Sequence, residues 1–295
     1  MSINLTLFSR NKPQYSTPHD FRMQVRQGNW TGQTSGLCPG YTQTNLVVIP
    51  KEDAFDFLLF ATRNPKPCPI LEVLEPGQTE PFSLAPKADI RTDIPKYRVY
   101  QKGSLIDEPN NIHKYWDDQL VSFLIGCSFT FETALIQNDI LVKHITLNQN
   151  VPMFITNIAC KKAGRFQGPM VVSMRPINEK KLVRAVQVSS RFPSVHGAPV
   201  HIGNPEVVGI NDLSRPDFGD PITVDNGEIP VFWACGVTPQ AIAQTAKPEL
   251  MITHSPGHMF VTDLNDQALS VFYNYNVEPL KRFCLPFQPL SPYLL

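Results

Sequence analysis

No stretch of the sequence holds 18 or more consecutive apolar residues, the length a membrane-crossing helix needs, so no membrane partner is expected. The amino terminus, MSINLTLFSRNKPQYSTPHDF, lacks the unbroken apolar core of a secretory signal. Arg10, Lys12 and several hydroxyl residues give it a faint organellar flavour. The expected compartment is therefore the cytoplasm, with the mitochondrion as the alternative in a eukaryote. Excess charge of either sign is also missing. Lys plus Arg number 26 and Asp plus Glu number 26, which removes the electrostatic footprint of a general nucleic-acid binder. The six cysteines (Cys38, Cys68, Cys127, Cys160, Cys235, Cys284) stand singly, with no CxxC, so neither a disulfide framework nor a zinc site is expected. HExxH, GxGxxG and the P-loop are absent. The sequence thus predicts no metal and no cofactor. It shows no internal repeat of fixed period and no low-complexity tract.

What is present suits an ordered α/β protein. Hydrophobic residues make up 42% against 18% charged, enough for a real core. The 28 prolines are spread through apolar segments, where they punctuate turns. Residues 1–20 are polar and irregular, and read as a flexible arm. A glycine-dense block follows, QGNWTGQTSGLCPGYTQTNL, with Gly28, Gly32, Gly36 and Gly40 spaced four apart. NLVVIP predicts a buried strand, 51–63 a helix on its apolar spacing, and 69–74 a second strand; together they predict a βαβ unit in a parallel sheet. YRVYQKGSLID predicts a hairpin turning at Lys102-Gly103. Residues 115–138 predict one long helix, and 140–146, 151–158 and 169–175 three strands. EIPVFWAC predicts a strand, followed by a helix capped by Thr238 with Pro239 first. Residues 250–254 and 259–264 predict a closing strand pair, and 271–295 an apolar tail of unknown structure.

Eight blocks in one order carry a family resemblance: QGNWTGQTSGLCPGYTQTNLVVIP, RNPKPCPILEV, ADIRTDIPKYRVY, FLIGCSFTFE, GPMVVSMRPI, VHGAPVHIGNPEVVGI, GEIPVFWACGVTPQ and SPGHMFVTDL. Across about residues 22–264 the chain resembles the hydro-lyase family that includes D-glutamate cyclase. Cys38 departs from an expected alanine, and Ala61 stands where a cysteine is common. The resemblance implies a three-layer α/β/α sandwich joined to a smaller two-layer α/β part. We place the main part at 21–114 and 204–270 and the smaller part at 115–203. The implied activity is that of a carbon–oxygen lyase on a small amino or hydroxy acid, with D-glutamate to 5-oxo-D-proline as the named reaction. A metal-dependent hydrolase and a non-catalytic small-acid-binding protein are the alternatives, and a homo-oligomer is left open.

Elimination of water needs a base, an acid and donors for a developing negative charge. His201 in HGAPVH and Cys235 at a strand-to-helix turn are the expected proton-transfer pair, with His196 as a further catalytic candidate. Arg175 and Arg91 are candidate forks for a substrate carboxylate; Asp89 or Asp93 would otherwise pair with Arg91. Gly36 and Gly40 would let backbone approach the ligand, and Tyr41, Gln43 and Asn45 would donate to an oxyanion. His254 and His258, about the Pro256-Gly257 turn, supply the histidines of the metal alternative. Glu132 reads as an ordinary solvated helix charge.

Overall fold

A computed structural model describes residues 15–271; Cys284 and nearly all of the expected arm and tail lie outside them. Six α-helices and eleven strands follow in the order α1 (Pro18–Arg26), β1 (Tyr41–Pro50), α2 (Lys51–Arg63), β2 (Ile70–Leu74), β3 (Tyr97–Gln101), β4 (Ser104–Asp107), β5 (Leu120–Gly126), α3 (Phe129–Gln137), α4 (Lys143–Thr146), β6 (Met153–Ala159), β7 (Pro169–Asn178), α5 (Leu182–Ser190), β8 (His201–Ile202), β9 (Glu228–Ala234), α6 (Thr238–Ala246), β10 (Leu250–His254) and β11 (Phe260–Asn265). None of these helices is long and apolar enough to cross a membrane.

The strands form two sheets. Sheet A runs β2-β5-β1-β10-β3-β4, with β11 also pairing β1; sheet B runs β6-β7-β9-β8. Every pairing between these strands is antiparallel. The expected parallel βαβ unit is therefore corrected. β1 and β2 do run the same way, but β5 lies between them and hydrogen-bonds to both.

Local chemistry explains most elements. Thr17 accepts from the Asp20 N–H and Pro18 opens α1. α2 follows Pro50, carries Glu52 and Asp53 in its first turn, and buries Phe57, Phe60 and Ala61. Lys102 and Gly103 both have positive φ, +49° and +86°, as a two-residue hairpin turn requires. The predicted helix over 115–138 divides into β5 and α3. LVSFLIG is buried on both faces of sheet A, so its continuous apolar run has no diagnostic period. The predicted strand at 140–146 holds the short helix α4 instead. Thr238 does not cap α6. Its hydroxyl accepts from the Val171 N–H and donates to the Cys235 carbonyl, tying helix to strand.

Side chains on one face of β1 and β5 meet α2 and α6 in a core that includes Val47, Phe57, Phe60, Phe123, Phe166 and Ile242. The opposite face packs Leu46, Val48 and Leu124 against Leu84, Ile90, Ile94 and Ile112, which lie in the irregular stretches before β3 and after β4. A helical third layer on sheet A is thus replaced by loop. α3 and α5 cover one face of sheet B, through Phe131, Leu135, Ala185 and Val188 against Val231 and Trp233. Residues Val208 and Ile210 cover the other. The expected division at 114/115 and 203/204 does not follow the sheets. β5 sits inside sheet A, and β9 inside sheet B, because each strand pairs with the partner that buries both of its faces.

Candidate functional site

The two sheets meet where β5 turns into α3 and β9 into α6. Arg175 rises from β7 toward α3 and is fully buried. Its Nε donates to Glu132 Oε1 at 2.9 Å, its Nη1 to Ser173 Oγ at 3.0 Å and its Nη2 to Ser128 Oγ at 3.0 Å. Phe131 and Trp233 lie 5.4 and 5.5 Å from the guanidinium, within cation–π range. The planar fork is therefore spent inside the protein. Arg175 holds Glu132 and is not free to grip a substrate carboxylate.

Glu132 lies in the first turn of α3 and is 2% exposed. Its Oε1 is also 3.1 Å from His144 Nε2, on α4. Its Oε2 is buried without a hydrogen-bond partner. Burial pushes the carboxyl up, but His144 and Arg175 together outweigh burial and hold it below the usual carboxylate range. A second buried carboxyl behaves oppositely. Asp266 accepts from Thr42 Oγ1 at 3.3 Å and bonds the Thr133 hydroxyl; burial, aided by nearby Glu132, drives its pKa well above the ordinary value. The two neighbouring carboxyls are thus shifted in opposite directions.

The glycine block lies across this site. Gly40 N donates to Thr133 Oγ1 at 3.3 Å, and the Gly40 carbonyl accepts from the Asp266 N–H. Gly36, at φ +74°, sits so close to Ile145 that a Cβ would lie 3.2 Å from its methyl group. Gln43 holds the block by donating to the Thr34 and Leu37 carbonyls, and its Oε1 remains buried and unpartnered. Tyr41 pairs with Asn265, the neighbour of Asp266. Asn45 donates to the Gly126 carbonyl at 2.7 Å, on the turn that leads into α3.

Cys127 and Cys235 end β5 and β9 in one buried cluster with Phe129, Val171 and Val237. Burial pushes Cys235 up to about 11 and Cys127 higher still, so both are neutral thiols near pH 7. His201 does not join them. It stands opposite Phe232 on the other face of sheet B, with ring centroids 5.7 Å apart, and its Nε2 bonds the Asn204 carbonyl. Side chains alternate along a strand, so Phe232 and Cys235 point to opposite faces. His196, at φ +78°, is buried behind the β5–α3 turn with Nδ1 2.8 Å from the Lys66 carbonyl; burial lowers its pKa to about 4. Arg91 is remote, paired with Asp89 and stacked near Trp116.

The histidines of the metal alternative do not converge. His254 bonds the Leu46 N–H and His258 the Pro256 carbonyl. Among the described residues no three His, Cys, Asp or Glu side chains are grouped to hold a metal ion. Sequence reasoning missed Glu132, His144, Asp266, Ser128 and Ser173. Glu132 was signalled only by its company: a lone acid inside FTFETALI, where a solvated helix face would show more polar neighbours.

The family model described as D-glutamate cyclase matches residues 121–263, which contain α3, α4 and β7 but neither the glycine block nor Asp266. A Geobacillus kaustophilus protein named "Putative hydro-lyase" is 63% identical over 250 residues, 85% of this chain and 95% of its own length. Proteins of the same name from Stutzerimonas stutzeri and Bacillus subtilis are 59% and 58% identical, covering 86% of this chain and 96% and 99% of their own lengths. A nitrogen repressor-like protein from Methanococcus jannaschii aligns over 83% of this chain and 98% of its own at 9% identity, with a TM-score of 0.35. At about 60% identity over nearly the whole length of these relatives, the chain belongs to the hydro-lyase family that includes D-glutamate cyclase.

Proposed function

We propose that the chain is a carbon–oxygen lyase acting on a small amino or hydroxy acid, and that D-glutamate, closing to 5-oxo-D-proline with loss of water, is its substrate. The observation that carries this reading is a pair of neighbouring buried carboxyls in contrasting surroundings, Glu132 against the Arg175 guanidinium and His144, and Asp266 against threonine hydroxyls with no cation among the described residues. Divergent environments of this kind mark a base and an acid. Glu132 takes the proton from the substrate ammonium through Oε2, and the freed nitrogen bonds the side-chain carboxyl carbon. Asp266 gives its proton to the departing oxygen, the second surplus proton of the nitrogen passes to that same oxygen as the C–O bond breaks so that it leaves as water, and the proton on Glu132 returns to Asp266. Arg175, His144, Ser128 and Ser173 position Glu132. Gly36 and Gly40 let the backbone close over the acid, with Gln43 as a polar contact beside it.

The test is a turnover screen of D- and L-amino acids and 2-hydroxy acids, read by loss of one water in mass and by chiral separation of the product. Formation of 5-oxo-D-proline by the natural chain, and its loss in Glu132→Gln, is expected. Dehydration that survives Glu132→Gln in folded protein would place the base elsewhere.

A further inference from the structure

The central ladders of the two sheets match one another. In sheet A, β1 and β5 pair in register from Thr44–Gly126 to Pro50–Leu120; in sheet B, β7 and β9 pair from Val172–Ala234 to Asn178–Glu228. Both ladders hold seven pairs, in the same relative register. The helix after each first strand buries the same face. Phe57, Phe60 and Ala61 of α2 fall where Ala185, Val188 and Ser189 fall after β7. β2 and β8 then add to the outer side of β5 and β9. The second strand of each ladder ends in a cysteine, Cys127 or Cys235, three residues before a buried threonine. Thr130 Oγ1 accepts from the Gln43 N–H and donates to the Gln43 carbonyl; Thr238 Oγ1 does both with Val171, which is Gln43's counterpart.

Beyond each threonine the chain crosses to the other sheet. α3 packs on sheet B and leads to β6 in sheet B, while α6 packs on sheet A and leads to β10 in sheet A. We infer that the chain is two copies of one unit with their final helix and strand exchanged, and that the site at Glu132 is one of two equivalent positions, the other being closed. At the closed position Val47 stands for Arg175, Gln240 for Glu132, Asn45 for Ser173 and Gly236 for Ser128. Gln240 is spent on neutral bonds, donating to the His254 carbonyl and accepting from the Tyr100 hydroxyl. Asn45 fills the place beside Gly236 so fully that a Cβ there would lie 2.0 Å from Asn45 Nδ2. The catalytic role of Glu132 rests on the lyase function proposed for this site; the equivalence of the two positions does not.

The seam between the copies supplies the test. Gly236 has a backbone that accepts a side chain, and the three atoms nearest a Cβ there all belong to Asn45. Gly236→Ser alone should abolish soluble protein or lower Tm by at least about 5 °C. Adding Asn45→Ser recreates the Ser173–Ser128 pair and should restore most of that loss. A double variant no better than the single overturns the equivalence, as does a Gly236→Ser single that melts like the natural chain. A second cycle, Val47→Arg with Gln240→Glu, asks whether the closed position takes an ion pair. Each single buries an unpaired charge and should melt at lower temperature or be lost from the soluble fraction. The double should exceed both. Losses that simply add overturn the assignment of a second, closed position. All of these readouts are melting and solubility, so absent turnover of D-glutamate would count against the substrate alone.

Discussion

Beneath α3 a buried carboxylate is held by a guanidinium, two hydroxyls and an imidazole; at the matching place beneath α6 a neutral amide meets a phenol and a backbone carbonyl. Both places are buried. The difference lies in charge. A buried ion pair holds a full charge that can accept a proton, at a desolvation cost that its partners must offset. A neutral amide has no such cost and no such chemistry. One half of the fold thus carries a buried charge and the other a neutral amide.

The largest expected effect breaks the charged place directly. Arg175→Met leaves Glu132 buried without its main partner and should cost roughly 3–5 kcal/mol in denaturant unfolding. Gln240→Met, at the neutral place, loses ordinary hydrogen bonds and should cost about 1–3 kcal/mol. Equal losses would erase the contrast. Turnover gives the next step. Glu132→Gln should lower the rate by roughly 10²–10⁴-fold, the scale of a lost acid–base group, whereas folded Gln240→Met should keep it. Rates measured at one temperature, with melting curves on the same preparations, separate chemistry from unfolding.

Acid sharpens a second contrast, between the two faces of sheet B. His196 is buried neutral, its pKa lowered from 6.5 to about 4 by burial. The unfolded chain therefore binds a proton that the folded chain refuses. The stability His196 contributes is complete above pH 6.5 and is lost as pH falls toward about 4, on the order of 3 kcal/mol in all. The slope of stability against pH in that window should flatten in His196→Gln. His254, lowered to about 3 by burial, extends the acid loss further down. The smallest effect is expected at His201 itself. It lies on the face away from Glu132, so His201→Asn should change stability by no more than about 0.5 kcal/mol and leave turnover intact. A large drop in rate would bring that face into the reaction.

Local rules make much of the fold readable. The Lys102-Gly103 turn, the period of α2 and the strand VFWA each depend on neighbours a few residues away, whereas the start of α1 at Pro18 lies inside the segment read as a flexible arm. Residue type alone suggests the glycine block, Gln43 and Asn45 as ligand contacts; the structure sets them against α3 and its leading turn. LVSFLIG reads as helix because a strand buried on both faces carries no period to distinguish the two. Glu132 reads as solvated because a helix charge usually meets water; on α3 nearly every side chain is buried, so the usual rule fails.

The sequence by itself determined the composition of a charge-neutral, core-forming chain, most element boundaries and, through its ordered blocks, the family. Only the tertiary structure decided which residues meet. FLIGCSFTFE and VFWACGVTPQ share just their cysteine and threonine, too little to announce a repeat, yet both fold to the same strand, turn and helix with the same threonine bond to the neighbouring strand. The reason is physical. A strand pairing or a helix packing demands apolar bulk and one well-placed hydroxyl, which many sequences satisfy. The meeting of Glu132 with Arg175 and Asp266 depends on contacts between residues far apart in the chain, which no local pattern records.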